Sequence, residues 1–305
     1  MKVLVATDKP FAAAAVEKIK SVIENAGFTF EALENYTEKS QLLDAVKDAN
    51  AIIIRSDIID KEVIENAPQL KIVVRAGAGY DNVDLAAATA HNVCVMNTPG
   101  QNAKAVAELV FGMLVYGVRN FYDGSSGREL KDKKLGIHAY GNVGRNVARI
   151  AKGFGMQVYA FDAYAPVEVI ENDGVTPVSS AEELYSICDI ISLHIPATAE
   201  TKKSINYALL SKMPKGAVLV NTARKEVIDE EGMVKFMDAR PDFKYLTDIL
   251  PSNHAEMQNK FPKRYFATLK KAGAQTAEAN YNAGVAAAEQ VVGYLKNGNE
   301  KFRVN

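Results

Sequence analysis

Three arginines stand where the sequence predicts that strands end. Arg55 precedes Ser56, Arg75 opens Arg75-Ala76-Gly77-Ala78-Gly79, and Arg224 closes Thr222-Ala223-Arg224. A guanidinium presents a planar fork of donors that fits a carboxylate or a phosphate. Arg224 suits a carboxylate, and Arg55 with Ser56 suits a phosphate. The backbone N–H groups of Ala76, Gly77, Ala78 and Gly79 can approach an anion closely, because glycine leaves room for it. Asp162, His194 and Asp248 follow other predicted strands. In open parallel sheets ligands bind beyond the C-terminal strand ends, so these residues are the candidate site. Two such lobes facing each other would make a cleft.

The most informative stretch runs from Lys134 to Asp162, KLGIHAYGNVGRNVARIAKGFGMQVYAFD. A strand leads into Ala139-Tyr140-Gly141-Asn142-Val143-Gly144. A helix opens there with Val143, Val147, Ile150 and Ala151 on one stripe, and a second strand ends on Asp162. This order is the dinucleotide-binding fingerprint. Gly141 lets the backbone meet a pyrophosphate, Gly144 lets the helix pack on the strand, and the helix N-terminus supplies unpaired N–H groups. Asp162 suits the ribose hydroxyls and would repel a 2′-phosphate, so the expected cofactor is NAD and not NADP. The first glycine of the pattern is Ala139 here, so the tight turn must form with a Cβ present.

Around these residues, strand-like runs alternate with helical ones. In residues 1–99 the strands are Val3–Ala6, Ala51–Arg55, Lys71–Arg75 and Val93–Met96, with helices near Ala12–Asn25, Lys39–Lys47 and Leu85–His91. A helix apolar on more than one face follows from about Ala103 to Phe121, a pattern expected for burial, in part against a second subunit. Further strands are read at Ile190–His194, Ala217–Asn221 and Tyr245–Ile249, and a last long helix over Thr276–Leu295. The expected fold is α/β, with two doubly wound parallel sheets. Residues 1–99 plus 277–305 would form one domain and residues 100–276 the dinucleotide-binding domain. With 48% hydrophobic and 24% charged residues and a net charge of −1, the chain reads as a soluble cytoplasmic protein. It has no basic field for nucleic acid and no apolar run long enough for a membrane span. Cys94 and Cys188 read as small core residues, with no disulfide framework or metal site.

At this point the chain resembles the D-2-hydroxyacid dehydrogenases over nearly its whole length. VRAGAGYDNVD (Val74–Asp84) looks like the family's substrate-carboxylate loop, and NTPGQNAKAVAELVFGML (Asn97–Leu114) like its interdomain helix. LHIPATAET (Leu193–Thr201) followed by MPKGAVLVNTAR (Met213–Arg224) resembles its most specific signature, and GAQTAEA (Gly273–Ala279) the segment after its catalytic histidine. The resemblance implies a flavodoxin-like substrate domain with an inserted Rossmann domain, NAD as cofactor, and a homodimer. It places Arg224 on the substrate carboxylate and Asp248 on the nicotinamide carboxamide. Arg55-Ser56 is similar to the phosphoglycerate branch, which implies oxidation of 3-phospho-D-glycerate to 3-phosphohydroxypyruvate in serine synthesis.

Two departures stand out. Counting back from Gly273-Ala274, the family's histidine position is Lys271, or Lys270 if Thr268 is aligned to the family's threonine; none of the four histidines falls there. The family's glutamate position is Asn253, or Glu256 if the loop is longer. A carboxylate raises a histidine's pKa usefully from about 6.5, but would push lysine, near 10.4, the wrong way. Loss of the glutamate therefore suits a lysine acid/base, whose pKa burial and Arg224 would lower. The second departure is Lys225-Glu226, which replaces a glycine pair and is expected to narrow the cleft or form a local ion pair. Two other readings stay open: a glyoxylate or hydroxypyruvate reductase of the same family, and a non-catalytic NAD(H)-sensing scaffold.

Overall fold

The computed structural model describes residues 1–305, which divide into two compact units: Met1–Asn102 with Thr276–Asn305, and Ala103–Gln275. In the first unit the chain alternates β1 (Lys2–Thr7), α1 (Ala13–Asn25), β2 (Thr29–Glu34), α2 (Lys39–Ala45), β3 (Ala51–Ile54), α3 (Lys61–Glu65), β4 (Ile72–Arg75), α4 (Leu85–Ala90) and β5 (Cys94–Asn97). The five strands are all parallel in the order β2-β1-β3-β4-β5. Strands β3, β4 and β5 read as largely apolar runs because both faces of the sheet are covered.

The second unit begins with α5 (Ala103–Val118) and continues β6 (Lys134–His138), α6 (Asn142–Gly153), β7 (Gln157–Phe161), α7 (Val167–Asn172), β8 (Thr176–Pro177), α8 (Ala181–Ile187) and β9 (Ile190–Leu193). Then come α9 (Tyr207–Leu210), β10 (Val218–Asn221), α10 (Glu230–Ala239), β11 (Lys244–Thr247), α11 (His254–Lys260) and β12 (Tyr265–Ala267). These seven strands are parallel in the order β12-β11-β10-β9-β6-β7-β8. The chain then returns to the first unit as α12 (Ala277–Asn297), which packs beside Ile19 and Ile23 of α1 and the underside of the sheet. No helix is long and apolar enough to cross a membrane.

Several expected bounds move. Arg55, His194 and Asp248 lie just past their strands, not inside them. Strands β2, β8 and β12 and helix α3 were not expected from the pattern. β2 is an edge strand of mostly exposed and half-buried residues, so it lacks an apolar run. The long helix stops at Val118, short of Phe121. Asn120, Phe121 and Tyr122 follow with φ of 52°, 57° and 59°, a left-handed run that cannot continue a right-handed helix. The Lys244 ammonium closes that helix end, donating to Gly117 O and Asn120 Oδ1, each at 2.6 Å. On α6 the buried stripe is Gly144, Val147, Ala148 and Ala151, with Val143 and Ile150 only half-buried. Both cysteines are buried and unpaired, and burial pushes their thiols up, to about 11 for Cys94 and about 12 for Cys188.

Candidate active site

Register builds the site of the second unit. His138 pairs with Leu193, Leu193 with Asn221, Asn221 with Thr247, and Thr247 with Ala267. The strands therefore end level, and the residues just beyond them form one row: Ala139, His194, Thr222, Asp248 and Thr268. The chain reverses direction across the sheet between β6 and β9, so the glycine turn opens at the topological switch point.

In that turn Ala139 has φ of 81°, a conformation that glycine adopts without strain. A Cβ on Gly144 would run into the carbonyl oxygen of Ala139 and come within 3.0 Å of Ile137 Cγ2. A Cβ on Gly141 would meet nothing within 4 Å, so this glycine is not required by the protein's own packing. Gly141 is the N-cap of α6 and no side chain caps the helix. The N–H groups of Asn142, Val143 and Gly144 thus lie in an uncapped first turn, which favours an anion. Tyr140 behaves differently from its neighbours. Its ring is 2% exposed, its hydroxyl donates to Asp173 at 3.2 Å, and its N–H donates to Asp162 Oδ2 at 2.6 Å. These bonds hold the loop. Asp162 also accepts from the N–H groups of Tyr164 and Ala165, at 2.8 and 2.9 Å. Its carboxylate is thereby fixed at the end of β7, with one lone-pair site of about four left on Oδ2.

At the end of β10 the Asn221 side chain clamps the next turn. Its Oδ1 accepts from the Ala223 N–H at 2.9 Å, and its Nδ2 donates to Arg224 O at 3.0 Å. Asn221 was missed as a site residue, although it stands in the NTAR signature. Arg224 is half-buried; its Nη1 donates to Ala223 O at 2.8 Å, and no acidic side chain pairs with it. Lys225 and Glu226 form an exposed turn and do not make the local ion pair expected of them.

Next to this turn, Asp248 is fully buried. Oδ2 accepts from the Gly273 N–H at 2.7 Å, whereas Oδ1 is buried with no partner. Burial raises its pKa, opposed by the Gly273 N–H and by the charge of Lys271. Lys270 and Lys271 are both exposed on the loop after β12, so the burial expected to lower a lysine pKa is not present. A carboxylate, Asp248, lies near enough to Lys271 to feel its charge. Asn253 is the N-cap of α11, and Glu256 is paired with Lys260 at 3.0 Å. His194 bonds Ser192 Oγ at 2.9 Å and His138 bonds Tyr185 OH at 3.3 Å. Burial lowers His138 to about 4 and His194 to about 3, so both rings are neutral near pH 7.

The first unit has its own row of strand ends. Arg55 follows β3, with Ser56 beside Asp8 at 3.4 Å. The Arg75 Nε donates to Arg55 O at 2.9 Å, and its guanidinium covers Gly77, where a Cβ would come within 2.6 Å of Cζ. Gly77 has φ of 151°, so the backbone conformation favours glycine there. Ala78 O accepts from Asn97 Nδ2 at 2.6 Å, which fixes the Ala76–Gly79 loop, and Ala76 is buried. Buried side-chain polar atoms without partners include Thr7, Glu34 and Thr98 near strand ends of the first unit and Thr222 and Asp248 in the second, with Ser204 and Gln290 elsewhere. Such orphaned groups are costly to leave without partners. The uncapped α6, the space at Gly141 and the bare Asp248 Oδ1 fit a dinucleotide.

Residues 100–269 match the sequence pattern of the D-isomer specific 2-hydroxyacid dehydrogenase NAD binding domain, and the chain belongs to that family. Its fold is shared, with a TM-score of 0.90, by an NAD+-bound 3-phosphoglycerate dehydrogenase of Entamoeba histolytica, 46% identical and covering 100% of this chain and 98% of that one. D-3-phosphoglycerate dehydrogenase of Methanocaldococcus jannaschii is 33% identical over 85% of this chain and 52% of its own length. The chain thus spans about half of that relative. Hydroxypyruvate reductase of Thermotoga maritima is 31% identical over 86% of this chain and 90% of its own.

Proposed function

We propose that this protein is an NAD-dependent dehydrogenase that interconverts 3-phospho-D-glycerate and 3-phosphohydroxypyruvate, the entry to serine synthesis. The observation that carries the reading is the pair at neighbouring strand ends: Arg224 without an acidic partner, beside Asp248 with a bare carboxylate oxygen. NAD, when bound, supplies the hydride acceptor for C2 of the hydroxy acid. Gly141, Asn142, Val143 and Gly144 would hold its pyrophosphate, with Tyr140 bracing the turn, and Asp162 its ribose. His194, Thr222, Ala223 and Asp248 would line the nicotinamide end, with Asp248 accepting from the carboxamide.

On the substrate, Arg224 would pair with the carboxylate, joined by the loop Arg75, Ala76, Gly77, Ala78 and Gly79. Arg55 and Ser56 would take the phosphate. Lys271 or Lys270 would exchange the proton of the C2 hydroxyl. As an ammonium, the lysine donates to the carbonyl oxygen during reduction. In the oxidative direction it must first lose its proton, so that direction favours alkaline conditions. Residues 1–99 with 277–305 would serve the substrate and residues 100–276 the cofactor. A cytoplasmic homodimer is the expected form. The test follows NADH consumption with 3-phosphohydroxypyruvate and, separately, with glyoxylate and hydroxypyruvate. Preference for the phosphorylated substrate supports the reading; preference for glyoxylate refutes it in favour of a reductase. NADH binding without turnover of any of them points to a sensor.

A further inference from the structure

The Arg55 guanidinium is held from three sides within the first unit. Its Nη1 donates to Lys9 O at 2.8 Å and Pro10 O at 2.9 Å, and its Nη2 donates to Asn280 Oδ1 at 2.8 Å. The plane lies over the Phe11 ring, 5.2 Å from its centroid. Three of the five N–H donors of this side chain are thereby taken, which leaves two for a ligand. All three acceptors are neutral carbonyl oxygens, so they orient the cation without cancelling its charge. The buried carboxylate nearby, Asp57, accepts from the Asp8 N–H, the Arg55 N–H and the Tyr36 hydroxyl, and makes no ion pair with the guanidinium.

Asn280 is itself fixed. Its Nδ2 donates to Thr276 O at 2.9 Å, which turns Oδ1 toward Arg55. Thr276 in turn caps α12, accepting from the Ala279 N–H at 3.1 Å. One of the three hydrogen bonds that direct the arginine therefore comes from the start of a helix 225 residues away in sequence.

We infer that Asn280 is the positioning residue of a phosphate-monoester subsite at Arg55, and so a determinant of preference for phosphorylated over unphosphorylated 2-oxo acids. This inference rests on the proposed reading of Arg55. Removing Asn280 takes away the anchor on Nη2 while those on Nη1 remain, and the loosened end of a long side chain must be ordered again each time a phosphate binds. Placing a carboxylate there does more harm, because it pairs with the cation that the phosphate needs.

The experiment compares wild type, Asn280→Ala, Asn280→Asp and Arg55→Met in the reduction of 3-phosphohydroxypyruvate and of hydroxypyruvate, which differ only by the phosphate. Asn280→Ala is expected to raise KM for the phosphorylated substrate by about 2- to 10-fold, the cost of ordering one long side chain, with kcat within about twofold. Asn280→Asp is expected to raise it further, and the KM for hydroxypyruvate should not follow in either variant. Merely structural damage would not give that ranking, since an acidic residue near a helix N-terminus is favourable to the helix. Parallel rises for both substrates, or Asn280→Asp no worse than Asn280→Ala while Arg55→Met loses the phosphate preference, would overturn the role of Asn280. If Arg55→Met leaves the preference intact, the phosphate reading of Arg55 itself falls and takes this inference with it.

Discussion

Replacing Asp248 by Asn should weaken the cofactor and strengthen the empty protein. The carboxylate is fully buried, with Oδ2 on the Gly273 N–H and Oδ1 on nothing. Asparagine keeps an oxygen for Gly273 but offers an N–H where the carboxamide needs an acceptor. A hydrogen bond to a charged group contributes about 1.5–3 kcal/mol, so NADH affinity should fall by about 10- to 150-fold. Stability moves the other way, and its sign follows from the raised pKa. Burial makes the ionised form unfavourable in the folded state. The stability tied to this group is therefore present in acid and lost as pH rises through its folded pKa. The variant never ionises, so its melting temperature relative to wild type should climb between pH 4 and pH 7.5. NADH titration by fluorescence and paired melts at the two pH values make the measurement. Affinity within twofold of wild type would remove Asp248 from the cofactor site, and a melting difference that shrinks with pH would refute the electrostatic argument.

Other substitutions probe the remaining parts. Lys271→Met and Lys270→Met should separate the acid/base: one of them should lose turnover by at least about 100-fold, the usual contribution of a positioned acid or base, and wild-type rates should titrate with a pKa well above 6.5. Full turnover in both variants would sink the lysine mechanism. Gly144→Ala should cost about 1–3 kcal/mol of stability and weaken NADH binding, because its Cβ drives α6 off the Ala139 carbonyl; denaturant melts and titration check both. Ala139→Gly should gain about 0.5–1 kcal/mol, since relief of a left-handed alanine exceeds the added chain entropy; a lower denaturation midpoint would contradict the strain. Wild-type stability should fall as pH drops from about 6.5 toward 4, because His138 and His194 take up protons only on unfolding, and the fall should be shallower in His138→Gln.

Much of this protein was legible in the order of its residues. The apolar runs at β3, β4 and β10 are continuous because both sheet faces are covered, and that local pattern marks parallel strands without knowledge of their partners. The glycine turn from Ala139 to Gly144 was readable for the same reason, being a short-range steric requirement. Edge strand β2, whose residues stay in contact with solvent, left no such mark. What folding alone decided is how side chains from distant segments meet. Sequence types gave Arg55 and Arg224 the same fork, yet one is held by Asn280 from the far end of the chain while the other is clamped through Asn221 three residues earlier. Asp248 became an acceptor with one bare oxygen only because Gly273 reaches it from the next strand's loop. The lysines that were expected to be buried are exposed, Lys271 within reach of that carboxylate's charge, since charge and environment are properties of neighbours in space and spacing along the chain does not determine them.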